Sequence, residues 1–391
     1  MITIIVCGRK AWKTTYSLIL TSKIAILIPM KKFILASIPF MAFVVLSATT
    51  LQIAHAACYD WQKNMAAEQI SRLPNGKVIV VDEFSDFTKK SGDDWLRFGI
   101  RNLLSDLLST GKNLRVLKGR TAAYGTPPGG PDFKVGGKFQ NIEGNLRIFV
   151  KLSNGKNGNL LKSYTIAVPY PGNKHFFTNT AETAKIIIKE LGTHFDKDRI
   201  KAITTATTST MAYETYIKGY LALEGYSPDS AKNAQTWFQQ TKRIDYTSPL
   251  GYLGMVDTYT FLAFYLKQNK AAYSSYFQLA EAETDLMAKL AKHSPLVMVP
   301  KKPKVQNKKK EKAVKLENPF LVANISYMEG IAAKKAGNIE EAIKSFKKTC
   351  ETVPIDAIAW LELGRLQTAK GNNKAAANSY QRAFALNPCL R

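Results

Sequence analysis

Residues 327–354, YMEGIAAKKAGNIEEAIKSFKKTCETVP, and residues 361–388, LELGRLQTAKGNNKAAANSYQRAFALNP, are two copies of one pattern. Gly330 and Gly364 stand 34 residues apart, as do Gly337 and Gly371, Ala342 and Ala376, Phe346 and Tyr380, and Pro354 and Pro388. A fixed period of this length marks an architecture in which each unit buries its apolar face on a neighbour. The small residues let two antiparallel helices approach closely, and the bulky ones fill the gaps between them. The proline ends the second helix, because it has no amide hydrogen to donate.

The later copy reads Trp360-x2-Leu363-Gly364, then Ala376-x3-Tyr380, Ala383 and Pro388. This resembles the tetratricopeptide repeat, with Gln367 in place of the expected tyrosine. Worn copies are expected over 212–290. Ala212-Tyr-Glu-Thr-Tyr-Ile-Lys-Gly219 opens one, with Ala234, Phe238 and Thr241 on its second helix and extra residues at 225–230. Gly254 begins another, continued by Ala272 and Tyr276. Two repeats over 320–391 complete the array. Between the blocks, residues 300–319 hold eight lysines and two glutamates. Like charge interleaved with proline reads as a disordered linker, or as a tether to an anionic envelope surface.

Amino-terminal to the array, 64–193 changes character. KVIVVDEF at 77–84 is a β-branched run and so a buried strand. Ser91-Gly-Asp-Asp supplies a cap and acidic first turn for a helix carrying Leu96, Ile100, Leu103, Leu104, Leu107 and Leu108. After NLRVLK at 113–118 and a Gly/Pro loop, the period becomes two. Residues 133–140, 145–152 and 160–168 read as three antiparallel strands, with Asn154-Gly155 and Asn157-Gly158 as turn signals. A closing helix at 181–191 turns Ile186, Ile187 and Leu191 inward.

VIVVDEF, GDDWLRFGIRNLLSDLL, LRVLKG, FKVGGKFQ, RIFVKLSNGKNGNLLKSYTIAV and AETAKIIIKELG follow one another in the order of the TolB amino-terminal-like and FlgO-like domains, which this segment resembles. AYETYIKGYLAL, WFQQTKRID and LGYLGMVDTYT are similar to the repeats that follow TolB-like domains in larger bacterial proteins. The resemblance implies a binding or assembly module and no catalytic residue. The expected fold is α+β: an amino-terminal α/β sandwich domain followed by an α-helical tetratricopeptide-repeat solenoid.

The first residues read as an address. Lys31 and Lys32 precede an apolar run from Phe33 to Ala48, and Ala54-His55-Ala56 satisfies the small-residue rule for signal cleavage. Residues 30–56 are therefore expected to be a signal peptide, cut between Ala56 and Ala57, which makes the protein secreted or periplasmic. Residues 1–29 read as a mis-called extension ahead of Met30. The alternatives are a membrane anchor in the amino-terminal segment and lipidation of Cys58, although His55 stands where a lipobox wants an aliphatic residue.

The 391 residues carry 55 Lys and Arg against 30 Asp and Glu, a net charge of +25. Loss of 1–57 removes six cations and no anion, leaving about +19. Export argues against nucleic acid as the partner and for anionic envelope surfaces. Four cysteines exclude a disulfide-built scaffold. A disulfide among Cys58, Cys350 and Cys389 suits the compartment, but no spacing selects it. HExxH, CxxC, GxSxG and phosphate-loop patterns are absent from the sequence, and His175, His194 and His293 are isolated. The carboxylate pairs Asp82-Glu83 and Asp93-Asp94 are the weak candidates for acid–base chemistry. No enzyme, metal or cofactor is expected.

By repeat phase, the inner, partner-binding groove comprises Asn324, Tyr327, Ile331, Lys334 and Lys335 from one copy. The other copy supplies Ile358, Leu361, Arg365, Thr368 and Ala369. Their chemistry suits a protein or peptide with apolar anchors and acidic groups. Past Pro388 no capping helix follows, so Ala377, Tyr380, Phe384 and Leu386 are expected as an exposed terminal face. A partner, the α/β domain or a second copy (a homo-oligomer) would cover it. Two functions follow: an exported adaptor for an envelope assembly, or a sensor whose α/β domain binds a small ligand or glycan and signals through the repeats.

Overall fold

The computed structural model describes residues 16–21, 24–29, 59–88, 92–171, 174–293 and 318–391. The signal-peptide reading, the Ala56–Ala57 cleavage point, Cys58 and most of the lysine-rich 300–319 lie outside these residues. The chain divides into two units, Met1–Cys58 and Tyr59–Arg391. In the first, β1 (Tyr16–Thr21) pairs antiparallel with β2 (Ile24–Pro29).

The second unit opens with α1 (Trp61–Ser71), whose cap is Asp60 accepting from the Lys63 amide at 3.0 Å. A five-stranded mixed sheet follows in the order β4-β3-β5-β6-β7. β3 (Lys77–Asp86) is parallel to β4 (Leu114–Lys118) and to β5 (Phe133–Ile142). β6 (Asn145–Asn154) is antiparallel to β5 and to β7 (Leu160–Pro169). The parallel pair β3–β4 needs a crossover, and α2 (Trp95–Leu108) supplies it. The short α3 (Gly119–Gly125) lies between β4 and β5.

α2 and α4 (His175–Glu190) cover one face of the sheet. Their leucines and isoleucines meet Ile79, Val81 and Phe84 of β3, Val135 and Phe139 of β5, and Leu146, Ile148 and Val150 of β6. The alternation expected of β5 and β6 is what buries one side chain in two.

Two local expectations are corrected. Ile186 is exposed, and α4 turns Ile187, Ile188 and Leu191 inward instead. Asp94 stands at the cap of α2 without a side-chain cap bond. Asp93 is buried and accepts from Asn141 Nδ2 at 2.8 Å, tying the helix start to β5.

After α5 (Lys197–Thr205) the chain forms four helix pairs. They are α6 (Thr210–Leu223) with α7 (Pro228–Ile244), α8 (Pro249–Gln268) with α9 (Ser274–His293), α10 (Pro319–Lys335) with α11 (Ile339–Thr352), and α12 (Ala357–Ala369) with α13 (Asn373–Leu386). The small residues act as expected: a Cβ at Gly330 would stand 3.1 Å from the Phe346 ring, and one at Gly364 would stand 2.8 Å from Tyr380. Gly219 faces Phe238 in the same way. Gly337 and Gly371 turn the chain between the helices of a pair with φ of +75° and +79°, which a side chain would strain. In the second pair Ala272 falls in an exposed turn, and the buried small residue of α9 is Ala280.

Sheet and array share a core. Tyr213 and Ile217 of α6 belong to the sheet's apolar cluster, and the Tyr213 hydroxyl donates to the Gly99 carbonyl at 3.2 Å. A second cluster joins Tyr59, Trp61 and Met65 to Phe261 and Phe264 of α8, to Val353 and Ile355 between α11 and α12, and to Ala357 at the start of α12. The fold is α+β, a layered sheet unit followed by paired helices in a tetratricopeptide-like array.

Candidate partner-binding face

α10 and α12 are the first helices of the last two pairs, where the inner face of such an array is built. Glu362 links them, accepting from Lys334 Nζ of α10 at 2.6 Å and from Arg365 of its own helix at 2.5 Å. Burial works to raise the Glu362 carboxyl, but the bonds from Lys334 and Arg365 outweigh it and hold the group below its usual value. Lys335, Thr368 and Ala369 are exposed, and Asn324 and Ile331 are half-buried. Thr368 Oγ1 lies 3.2 Å from the Tyr380 hydroxyl.

Three expected lining residues are instead packing residues. Tyr327, Ile358 and Leu361 are buried, the first against Phe346. At the junction with the preceding pair, the end of α8 lies on Tyr327 and Asp356. Lys267 Nζ lies 3.4 Å from the Tyr327 ring centroid and donates to Asp356 Oδ2 at 2.5 Å, with the two side chains 4% and 2% exposed. Gln268 Nε2 adds a bond to Asp356 Oδ1 at 2.8 Å. Burial pushes the Lys267 ammonium down, and Asp356 opposes the shift.

The exposed apolar groups on α10 are Ile325 and Met328, 42% and 46% exposed and one turn apart. The Tyr273 hydroxyl approaches Met328 Sδ at 3.9 Å. Their i, i+3 spacing was visible in the sequence, but assigning Tyr327 to the open face set the phase one residue off.

At the array's end Ala377 is exposed, while Tyr380 and Phe384 are half-buried with stacked rings 5.9 Å apart. Leu386 packs on the cluster of Tyr59 and Trp61, and Asn64 Nδ2 reaches its carbonyl at 3.5 Å. The chain's own α1 therefore covers part of the terminal face.

Asp82 and Glu83 do not converge. They occupy an irregularity between Val81 and Phe84, and Glu83 pairs with Arg97 and Arg101 of α2. Burial raises the Asp82 carboxyl, with Lys134 opposing. The Cys350 thiol is free, buried and pushed up by burial, whereas Cys389 is disulfide-bonded. Among the described residues no group of three or more His, Cys, Asp or Glu is placed to hold a metal ion. A cleft of about 310 Å³ between the sheet unit and α6 is lined by Asp106, Lys118, Arg120, Tyr220, Glu224 and Tyr226 among others. Beside it the buried Arg101 leaves Nε and one terminal nitrogen without a hydrogen-bond partner.

No family model matches the chain, and no curated protein does. Among solved structures it is similar to MamA, at 16% identity over 44% of this chain and 77% of that one, with a TM-score of 0.19. MamA MSR-1 C2 matches at 13% over 55% and 91% (TM-score 0.18), and a MamA RS-1 ArsTM double mutant at 13% over 55% and 93% (TM-score 0.21). The four helix pairs and their glycine–aromatic contacts are what give this region its tetratricopeptide-like character.

Proposed function

We propose that the protein is an exported adaptor whose helical array binds protein partners and whose sheet unit fixes the array in an envelope assembly. The observation that carries this reading is the exposed strip on α10, where Ile325 and Met328 lie one turn apart and Lys335 follows on the side of Met328 about two turns on. Such a strip suits a peptide with apolar anchors and acidic flanks. Export is supported by the basic start, apolar run and Ala-His-Ala site at 31–56, and by the disulfide at Cys389, which belongs to an oxidising compartment. The order of strands and helices supports a TolB- or FlgO-like reading of the sheet unit. The lysine-rich 300–319 offers a second, electrostatic contact with the envelope.

Co-purification from envelope extract tests the adaptor. Ile325→Glu/Met328→Glu should lose the proteins that the wild type retains while keeping its melting temperature. Retention of the same proteins would remove the strip from recognition. The cleft beside Arg101 favours a second reading, a ligand sensor. A melting temperature raised by a small anion, with no protein recovered, would support the sensor over the adaptor.

A further inference from the structure

The sheet has a second face, and over β5, β6 and β7 its side chains are open to solvent. Register and burial define it. Val135 and Phe139 of β5 and Leu146, Ile148, Val150 and Leu152 of β6 point into the core, so Lys134, Lys138, Arg147 and Lys151 point away, and all four are exposed. Cross-strand pairing interleaves them: Lys134 opposite Ser153, Gly136 opposite Lys151, Lys138 opposite Phe149, and Gln140 opposite Arg147. Each of four successive rows thus carries one cation, alternating between neighbouring strands, with rows about 6.8 Å apart.

The opposite row positions on β7 offer no compensating acid: Ser163, Thr165 and Ala167 lie beside Lys151, Phe149 and Arg147. Asp82 stands near Lys134 and Gly136 at one margin. The ion pairs of the described residues include none of the four cations. Two aromatic rings share the face. Phe87 is 65% exposed, and Lys138 Nζ stands 4.4 Å from its centroid and 5.8 Å from that of Phe149.

We propose that this face binds an acidic polysaccharide, a chain of saturated rings with a carboxylate at regular intervals. The staggered cations meet the carboxylates, and Phe149 and Phe87 offer apolar surface to the rings. Nucleic acid fits less well, because successive bases need a ring each along the strand, and both rings here flank the single row of Lys138. The edge strand β7 makes no part of the contact, which separates this mode from the addition of a peptide strand.

The test is binding of polygalacturonate to the full chain, followed by affinity electrophoresis at low and high salt. The wild type should bind, and binding should weaken with salt, because releasing counterions into more concentrated salt gains less free energy. Lys138→Gln/Arg147→Gln/Lys151→Gln should weaken binding about tenfold or more. Phe149→Ser should weaken it at unchanged net charge. A charge-matched control, Lys344→Gln/Lys347→Gln/Lys348→Gln on α11, should bind as the wild type does. Circular dichroism melting checks that each variant is folded, and Phe149→Ser read against the α11 control decides the matter should the triple variant melt early. No binding by the wild type, an equal loss in the α11 control, or tighter binding of a single-stranded oligonucleotide or of anionic lipid vesicles would overturn the proposal.

Discussion

Lys267 and Asp356 tie the two repeat blocks together through a buried ion pair. Both charges are buried, and Asp356 also caps α12 by accepting from the Ala359 amide at 3.0 Å. Removing one partner leaves the other charge buried alone, which costs more than the pair itself contributes. Lys267→Met should therefore destabilise the protein by about 3 kcal/mol in urea unfolding. Lys267→Met/Asp356→Asn should recover part of that loss, because asparagine keeps the cap. Glu362 makes a second residue-scale prediction. Its folded value lies below the ordinary one, so its contribution is fully present above the unfolded value and is lost as pH falls on through the folded one. Glu362→Gln should cost about 1 kcal/mol at neutral pH, allowing for solvent at Lys334 and Arg365, and the deficit should shrink below about pH 4. Reversing the charges at Lys334 and Arg365 would crowd three carboxylates together and should lower the melting temperature.

Among the elements, α1 does work that its sequence scarcely advertises. Trp61 lies 5.6 Å and 5.8 Å from the Phe261 and Phe264 rings and stacks on Tyr265 at 4.9 Å. The Tyr59 hydroxyl donates to the Ile355 carbonyl at 2.7 Å, and Arg72 to the Thr352 carbonyl at 2.8 Å. Trp61→Ala should cost about 3–5 kcal/mol and loosen the last two pairs first, seen as faster amide exchange in α12 and α13. Glu68 is buried and pairs with Arg72, yet burial outweighs Arg72 and raises its carboxyl. A raised acid weakens the fold as pH rises through the ordinary carboxylate range. Glu68→Gln should then melt higher than the wild type at neutral pH and equally below about pH 4. The periodic elements were legible because each buries a stripe against its own neighbours: α2, β5 and β6, and the pairs containing Gly330 and Gly364. α1 was not, because its partners Phe261 and Ile355 lie some two to three hundred residues away in the chain. Repeat phase also missed the burial of Tyr327, since a single repeat does not show that Lys267 of the preceding pair will lie on its ring. Apolar stripes name a helix's inner face but say nothing of which distant helix will lie on it.

At the scale of the molecule, the sheet unit, α1 and the array are joined by shared cores rather than by a loose tether. Leu321 and Ala323 of α10 sit in one cluster with Phe261 and Phe277 of the preceding pair. A protease site inserted between Pro300 and Asn318 should yield two fragments that elute together in gel filtration, because that apolar contact outlasts the cut. Separation of the fragments would show that the two blocks are independent. The central claim, that the array's open strip recruits a protein partner, is tested most directly by a photo-reactive residue placed at Met328 in living cells. A matched probe at Lys189 on α4 serves as the reference. Met328 should yield a discrete crosslinked protein, absent from Lys189 and lost on Ile325→Glu. Crosslinks of equal yield from both positions, or none from Met328, would contradict that claim.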